Sequence, residues 1–295
     1  MKLSLIIPCF NARDFLHTQL EALANQDYSE PWEVIIADNG STDNSLAIVE
    51  QYKKQISNLR IIDASNKKGA SHARNVGALA ANSECIAFVD ADDEICPHYV
   101  AAMIQGLSQY DFVAGSLDYT KLNEPWTLKY RNLNQSRKNS TKKNPNPLSF
   151  APGGNLGIKR SLHLKINGFD ESWIYAAEDL DYSSKIQLTG IELHHIKDAL
   201  VYCRLRHKMA DIFKQSCNYA EGYYLFTKKY DSLNFYSPSW QAELRGWGGL
   251  IKRSFQVYNK EDRGDFVWRL GSHLGRLKGR INFLTTQMQS FWLKK

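Results

Sequence analysis

Short apolar runs alternate with segments of helical period through the first 120 residues, and that alternation narrows the fold more than any other feature of the chain. Leu3-Ser4-Leu5-Ile6-Ile7 is an apolar run stopped by Pro8, after which Phe15, Leu16, Leu20 and Leu23 recur at helical spacing. Glu33-Val34-Ile35-Ile36-Ala37, the run 59–62, Cys85-Ile86-Ala87-Phe88-Val89 and Phe112-Val113-Ala114 read as further buried strands. Between them, Ser41-Thr42-Asp43 is placed to cap a helix carrying Leu46, Val49 and Tyr52. A glycine-containing turn leads into a helix over about 71–81, and Pro97 opens another with Val100, Met103, Ile104 and Leu107. The pattern predicts an α/β fold with a mostly parallel sheet covered by helices on both faces. In such sheets ligands bind at the carboxyl ends of strands. That rule singles out positions 8–11, 38–39, 66–69 and 90–93.

The chain has 295 residues, 43% of them hydrophobic, which is enough for one good core and a smaller appendage. Segment 121–149 differs in character: seven basic residues, one acid (Glu124), six asparagines, then Pro145 and Pro147. It reads as a mobile loop. Regular patterning resumes at Phe150 and runs to about 230. Five cysteines without a C-x-x-C spacing describe neither a disulfide framework nor a zinc knuckle. The N-terminal apolar run is too short for a signal peptide, and no stretch approaches about 18 uninterrupted apolar residues, so the expectation is a cytosolic protein.

Three polar groups can carry chemistry. Asp90-Ala91-Asp92-Asp93 sets three carboxylates in four positions directly after a buried strand. Such charges repel one another unless a cation joins them, so the group reads either as a solvated acidic turn or as a magnesium or manganese loop. Its place at a strand end favours the metal. Asp38-Asn39-Gly40-Ser41-Thr42-Asp43 is either a well-capped strand-to-helix turn or an edge that pairs with a nucleobase. Gly69 allows close backbone approach, and Arg74 offers a fork for a base carbonyl or a phosphate, or is simply a solvated arginine on a helix.

Taken in order, Pro8-Cys9-Phe10-Asn11, Asp38-Asn39-Gly40-Ser41-Thr42-Asp43, Gly69-Ala70-Ser71-His72-Ala73-Arg74-Asn75 and Phe88-Val89-Asp90-Ala91-Asp92-Asp93 resemble glycosyltransferase family 2, the inverting enzymes of GT-A fold. The likeness covers about residues 1–230 and continues through Pro152-Gly153-Gly154-Asn155, Gly168-Phe169-Asp170-Glu171 and Glu178-Asp179. It implies a catalytic domain over 1–230, with a donor-binding half (1–120), a flexible loop (121–149) and an acceptor half (150–230), followed by a basic helical region (231–295). By the same resemblance, Asp38 and Asn39 line a nucleobase pocket with Pro8 and Asn11, and Gly69 and Arg74 close it. Asp92 is the metal ligand, for Mn2+ or Mg2+, with Asp90 nearer the ribose. Asp179 is the base that activates the acceptor, and Gly153, Gly154, Asn155, Trp173 and Glu178 stand on the acceptor side. A histidine after the last core strand completes the metal site in some GT-A enzymes, and His207 stands at that place, although a surface histidine in the basic stretch 204–208 is equally ordinary. One departure from the family is Asp38-Asn39, where many users of uridine-diphosphate sugars carry two aspartates. An asparagine can still accept from a pyrimidine N3–H and donate to O4, which keeps uracil and thymine as expected bases. The expected partners are a nucleotide-sugar donor and a glycan or lipid-linked acceptor.

The net charge of +6 is unevenly spread: residues 245–295 hold eleven Lys and Arg against three acids, so the remainder is slightly acidic. Leu270, Leu274, Leu277, Ile281, Leu284, Met288 and Phe291 form a stripe of 3.5-residue period, with Gly271, Gly275 and Gly279 beside it. Each glycine costs a free helix about 1 kcal/mol relative to alanine, which points to close helix packing. Docking on the catalytic domain, peripheral contact with an anionic membrane and self-association all remain open for this tail. Other functions fit less well. A sugar-nucleotide pyrophosphorylase would need a glycine-rich, lysine-bearing phosphate loop at the N-terminus. A silent nucleotide-sugar-binding protein has no use for both Asp92 and Asp179. A nucleic-acid binder would interleave stacking aromatics with its basic charge.

Overall fold

A computed structural model describes residues 1–131, 147–173 and 176–292, with 286–292 as backbone only. The chain runs β1 (Ser4–Cys9), α1 (Arg13–Ala24), β2 (Glu33–Asp38), α2 (Ser45–Tyr52), β3 (Leu59–Asp63), α3 (Ala70–Ala80) and β4 (Cys85–Val89). It continues with β5 (Glu94–Ile95), α4 (Tyr99–Gln109), β6 (Phe112–Asp118), α5 (Pro125–Tyr130), β7 (Asn155–Lys159), α6 (Arg160–Lys165), α7 (Glu178–Gln187) and β8 (His194–Tyr202). Three helices close it: α8 (Met209–Lys229), α9 (Trp240–Ser254) and α10 (Lys260–Trp292).

The strands form one sheet in the order β3-β2-β1-β4-β7-β6-β8-β5. The first four are mutually parallel, as the strand–helix alternation predicts, and β6 and β8 are parallel as well. Between β4 and β6, however, β7 inserts antiparallel to both. Alternation along β1 sorts the core into two layers. Leu5 and Ile7 pack with Leu16, Leu20, Val49 and Met103 on one face. Ile6 packs with Ala78, Phe88, Tyr182 and Ile186 on the other. Pro8 does not stop β1, which runs through it to Cys9. Proline is tolerated there because pairing with β4 has already ended at Ile6, so no ladder bond to β4 needs its missing N–H.

Segment 121–149 is not loop throughout: α5 lies within it, and Trp126 and Tyr130 are buried in a cluster with Ile212, Val267 and Trp268. Positions 132–146, on which most of the loop expectation falls, lie outside the described residues.

The tail docks, but not through its apolar stripe. A Cβ on Gly271 would stand 2.7 Å from the Phe213 carbonyl, and one on Gly279 would stand 3.2 Å from that of Glu221; Gly275 meets the Cys217 backbone more closely still. Helix α10 therefore lies backbone-to-backbone along α8 through its glycine face, secured by the Ser216 hydroxyl donating to the Trp268 carbonyl at 2.5 Å. Leu277, Ile281 and Leu284 of the stripe remain exposed, and the side chains of Met288 and Phe291 lie outside the described residues.

Candidate active site

The antiparallel insertion of β7 builds the centre of the site. Val89 pairs with Asn155, so the segment entering β7 crosses the acidic turn leaving β4. The crossing is close: a Cβ on Gly154 would overlap the Asp90 carboxylate, and one on Gly153 would stand 3.1 Å from the Arg74 guanidinium. Arg74 rises from the start of α3, is buried, and has Phe169 beneath it with the ring centroid at 5.4 Å. Its Nη2 donates to Asp90 Oδ1 at 2.8 Å and its Nη1 to Glu178 Oε1 at 3.3 Å. Asp179 follows in the first turn of α7, where Oδ1 accepts from the Leu180 N–H at 2.8 Å and Oδ2 from that of Gly153 at 3.4 Å. Asp90, Arg74, Gly153, Gly154, Glu178 and Asp179 thus meet in one place.

Burial pushes the Asp179 carboxyl up to about 7; the neighbouring Glu178 charge adds to the rise and Arg74 moderates it. A carboxyl near neutrality suits a general base working near pH 7. The residue opening that helix, Ala177, holds a left-handed φ of 73°. A non-glycine residue in that region costs about 1–3 kcal/mol and persists only where its surroundings enforce it. Here α8 presses on the turn: a Cβ on Gly222 would stand 2.8 Å from the Ala176 carbonyl.

Because Gly154 gives way to the Asp90 carboxylate, Gly154→Ala is expected to displace Asp90 and break its ion pair with Arg74. A misplacement near 1 Å in such a site costs about 100-fold in rate. Steady-state turnover of a Gly154→Ala variant that melts normally is the measurement, and wild-type turnover would refute the crowding argument.

Asp90, Asp92 and Asp93 each offer a carboxylate oxygen within 4.8 Å of the others. Burial raises the pKa of Asp92 and, strongly, of Asp93, and repulsion between the carboxylates adds to both rises. A cation relieves that repulsion, and an all-oxygen donor set fits Mg2+ or Mn2+, so these residues suit the expected metal. Asp93 joins the cluster as the three-carboxylate reading of the turn expects, although the family resemblance assigned roles only to Asp90 and Asp92. Arg206 is the other addition: its Nη1 lies 3.0 Å from Asp92 Oδ2. His207 is not brought into the cluster. Arg206 turns to Asp92, while His207 is exposed and lines a groove with Phe15, Glu124 and Arg204.

Pro8, Asn11, Asp38, Asn39 and Gly69 do gather at the ends of β1 and β2, but their polar atoms are largely committed. Asp38 accepts from the Gly40 and Ser41 N–H groups at 3.2 Å. Asn11, with φ 48°, accepts from the Thr42 N–H at 2.8 Å, and Asp43 rather than Ser41 or Thr42 receives the Ser45 N–H at the start of α2. The Asn39 amide donates to the Ala64 and Lys67 carbonyls, and its oxygen accepts from the Gly69 N–H at 2.8 Å. Asn39 therefore braces the turn that ends in Gly69 (φ 132°) instead of offering a free edge to a base. Arg74 does not close that group either, being held by Asp90 and Glu178. On the acceptor side, Asn155 is fully buried and spends its side chain on the Tyr99 hydroxyl and the Ser116 and Ala199 carbonyls, which makes it a structural residue. Trp173 packs against Ala177, Phe226 and Phe235, with its indole N–H unpartnered and the Lys229 ammonium 5.5 Å from a ring centroid.

Comparison with known proteins identifies the family and the fold. An uncharacterized glycosyltransferase of Escherichia coli K12, YibD, is 39% identical over 129 residues, covering 43% of this chain and 35% of the relative. A poly(ribitol-phosphate) beta-glucosyltransferase of Bacillus spizizenii is 41% identical over 97 residues, or 32% of this chain and 15% of the relative. The chain thus spans well under two thirds of either relative's length. Among solved structures, Staphylococcus aureus TarS 1-349 in complex with UDP-GlcNAc superposes with a TM-score of 0.58 at 19% identity, covering 94% of this chain and 92% of that one. The mannosyltransferase PcManGT of Pyrobaculum calidifontis, in complex with GDP-Man and Mn2+, gives 0.64 at 16%, covering 94% and 87%. These neighbours share the GT-A fold. The profile of glycosyl transferase family 2 matches residues 4–166, which takes in the acidic turn, the Arg74 helix and the glycine pair, and so the chain belongs to that family.

Proposed function

We propose that this chain is an inverting glycosyltransferase that moves a sugar from a uridine- or thymidine-diphosphate donor to a hydroxyl of a glycan or lipid-linked acceptor, in cytoplasmic synthesis of a surface polysaccharide or glycolipid. The observation that carries the reading is a buried carboxyl near neutral pKa, Asp179, bridged through Glu178 and Arg74 to an acidic cluster that suits a divalent cation. Asp92, with Asp90 and Asp93, would hold Mg2+ or Mn2+, which when bound neutralises charge on the departing diphosphate. Asp179 takes the acceptor proton on a carboxylate whose two oxygens are oriented by the Leu180 and Gly153 N–H groups respectively, as a base does in single-displacement sugar chemistry. Arg74 holds the donor-side and acceptor-side carboxylates in register. TarS, solved with UDP-GlcNAc, supports a uridine donor.

Turnover of a panel of UDP-, dTDP- and GDP-sugars with manganese tests the reading; no hydrolysis or transfer from any of them would overturn it. Since the base works deprotonated, kcat/KM should rise tenfold per pH unit below about 7 and level off above it, following the raised pKa of Asp179. A profile flat from pH 5 to 9, outside any rate-limiting binding step, would remove Asp179 from the proton transfer.

A further inference from the structure

Helix α9 presents two unlike faces. Glu243 and Leu250 are buried, and Glu243 accepts from His273 of α10 at 3.0 Å and from Arg276. About a quarter of a turn round the helix, Trp240, Leu244, Ile251 and Phe255 recur at helical spacing and are 58–75% exposed. The face continues onto α10. The Arg280 guanidinium stacks 4.1 Å from the Trp240 ring centroid, and Leu277, Ile281 and Leu284, on the turns around Arg280, are 39–55% exposed. Because α10 docks on α8 through its glycines, this second apolar set has no role in that packing. Seven large apolar side chains over two adjoining helices form a patch of the kind that marks an interaction surface.

Charge decides what covers it. Arg245 and Lys252, seven residues apart along one flank of the α9 face, are exposed and make no ion pair among the described residues. They belong to a region with eleven basic residues against three acids. A second copy of this chain would set one basic flank against another, whereas an anionic surface would be drawn to it. Among the described residues no helix is long and apolar enough to cross a membrane, so the geometry suits lying on one. We infer that the outer face of α9 and α10 docks on the headgroup layer of an anionic lipid bilayer, with Leu244, Ile251 and Phe255 entering the acyl boundary and Arg245 and Lys252 meeting the headgroups. The inference does not depend on the proposed reaction.

Sedimentation of the full chain with phosphatidylcholine vesicles, with and without phosphatidylglycerol, tests it. The protein is expected to pellet with the anionic vesicles, to bind the neutral ones weakly, and to be released by salt. Leu244→Ser with Ile251→Ser and Phe255→Ser should abolish pelleting while melting temperature and circular dichroism stay unchanged. Arg245→Gln with Lys252→Gln should weaken it roughly tenfold at low salt and less at high salt. Undiminished pelleting of either variant would overturn the inference. So would a wild-type protein that ignores anionic vesicles and runs as a dimer, with the triple variant running as a monomer, since a second copy would then cover the face.

Discussion

Asp179→Asn is expected to leave donor binding within about twofold of wild type and to cut transfer by at least about 100-fold, the range that a positioned general base supplies. Asparagine keeps the shape of the side chain, and its one oxygen keeps the shorter contact with the Leu180 N–H while the weaker one from the Gly153 N–H is given up. What it removes is the proton acceptor. Glu178 cannot readily substitute, because its carboxylate is held by Arg74. The check is isothermal calorimetry for the donor beside single-turnover transfer. A loss under tenfold would make Asp179 a structural residue and shift the role to Glu178. A loss of donor binding would show instead that removing the charge had disturbed Arg74 and Asp90.

Asp92→Ala should make donor binding insensitive to divalent cations and weaken it at least tenfold in their presence, since a cation on a diphosphate is worth several kcal/mol. Without a cation the diphosphate meets the carboxyl groups of Asp90 and Asp93, with the guanidinium groups of Arg74, Arg204 and Arg206 beside them. The substitution also frees Arg206 from Asp92, so some binding through that guanidinium is expected to remain, and to be sensitive to salt. Titration of donor into wild type and variant, with manganese and then with EDTA, separates the contributions. A wild type that binds equally well in EDTA would sink the metal assignment, and so would a variant that keeps its manganese dependence.

Much of this was legible in the sequence. Strands β1 to β4 and β6 follow from runs of Leu, Ile, Val and Phe, and the polar groups that gather at the site are those that close such runs. Position along a strand is a local property, and local properties survive in a linear reading. Partners across space do not. Nothing in Asn39 or Asn155 tells that the first braces a neighbouring turn and the second lies in the core, since an amide serves a base edge, a sugar or a backbone carbonyl equally well. Arg206 and His207 are adjacent in one basic stretch, and nothing in that stretch tells which of them turns to Asp92. In α10 the glycines pointed to close helix packing and the contact is made there, where side chains are absent, whereas the apolar period left the role of the leucine stripe open. Periodicity reports which face is greasy. Closeness of approach depends on which face lacks a Cβ.

That last contact links the far end of the chain to its chemistry. Helix α8 is held on one side by the glycine face of α10, and on the other its Gly222 bears on the turn that forces Ala177 into a left-handed conformation just before Glu178 and Asp179. Chimaeras between relatives are therefore constrained in where they can be joined. A graft that exchanges everything after residue 230 but keeps the native α8 puts a foreign helix against a surface whose fit is set by missing methyl groups, and the mismatch is felt at the turn before Asp179. Carrying α8 and α10 across as one inherited unit preserves the fit, at the cost of a new seam between Gly222 and Ala176. The grafts that keep activity should be those that leave a glycine at that seam.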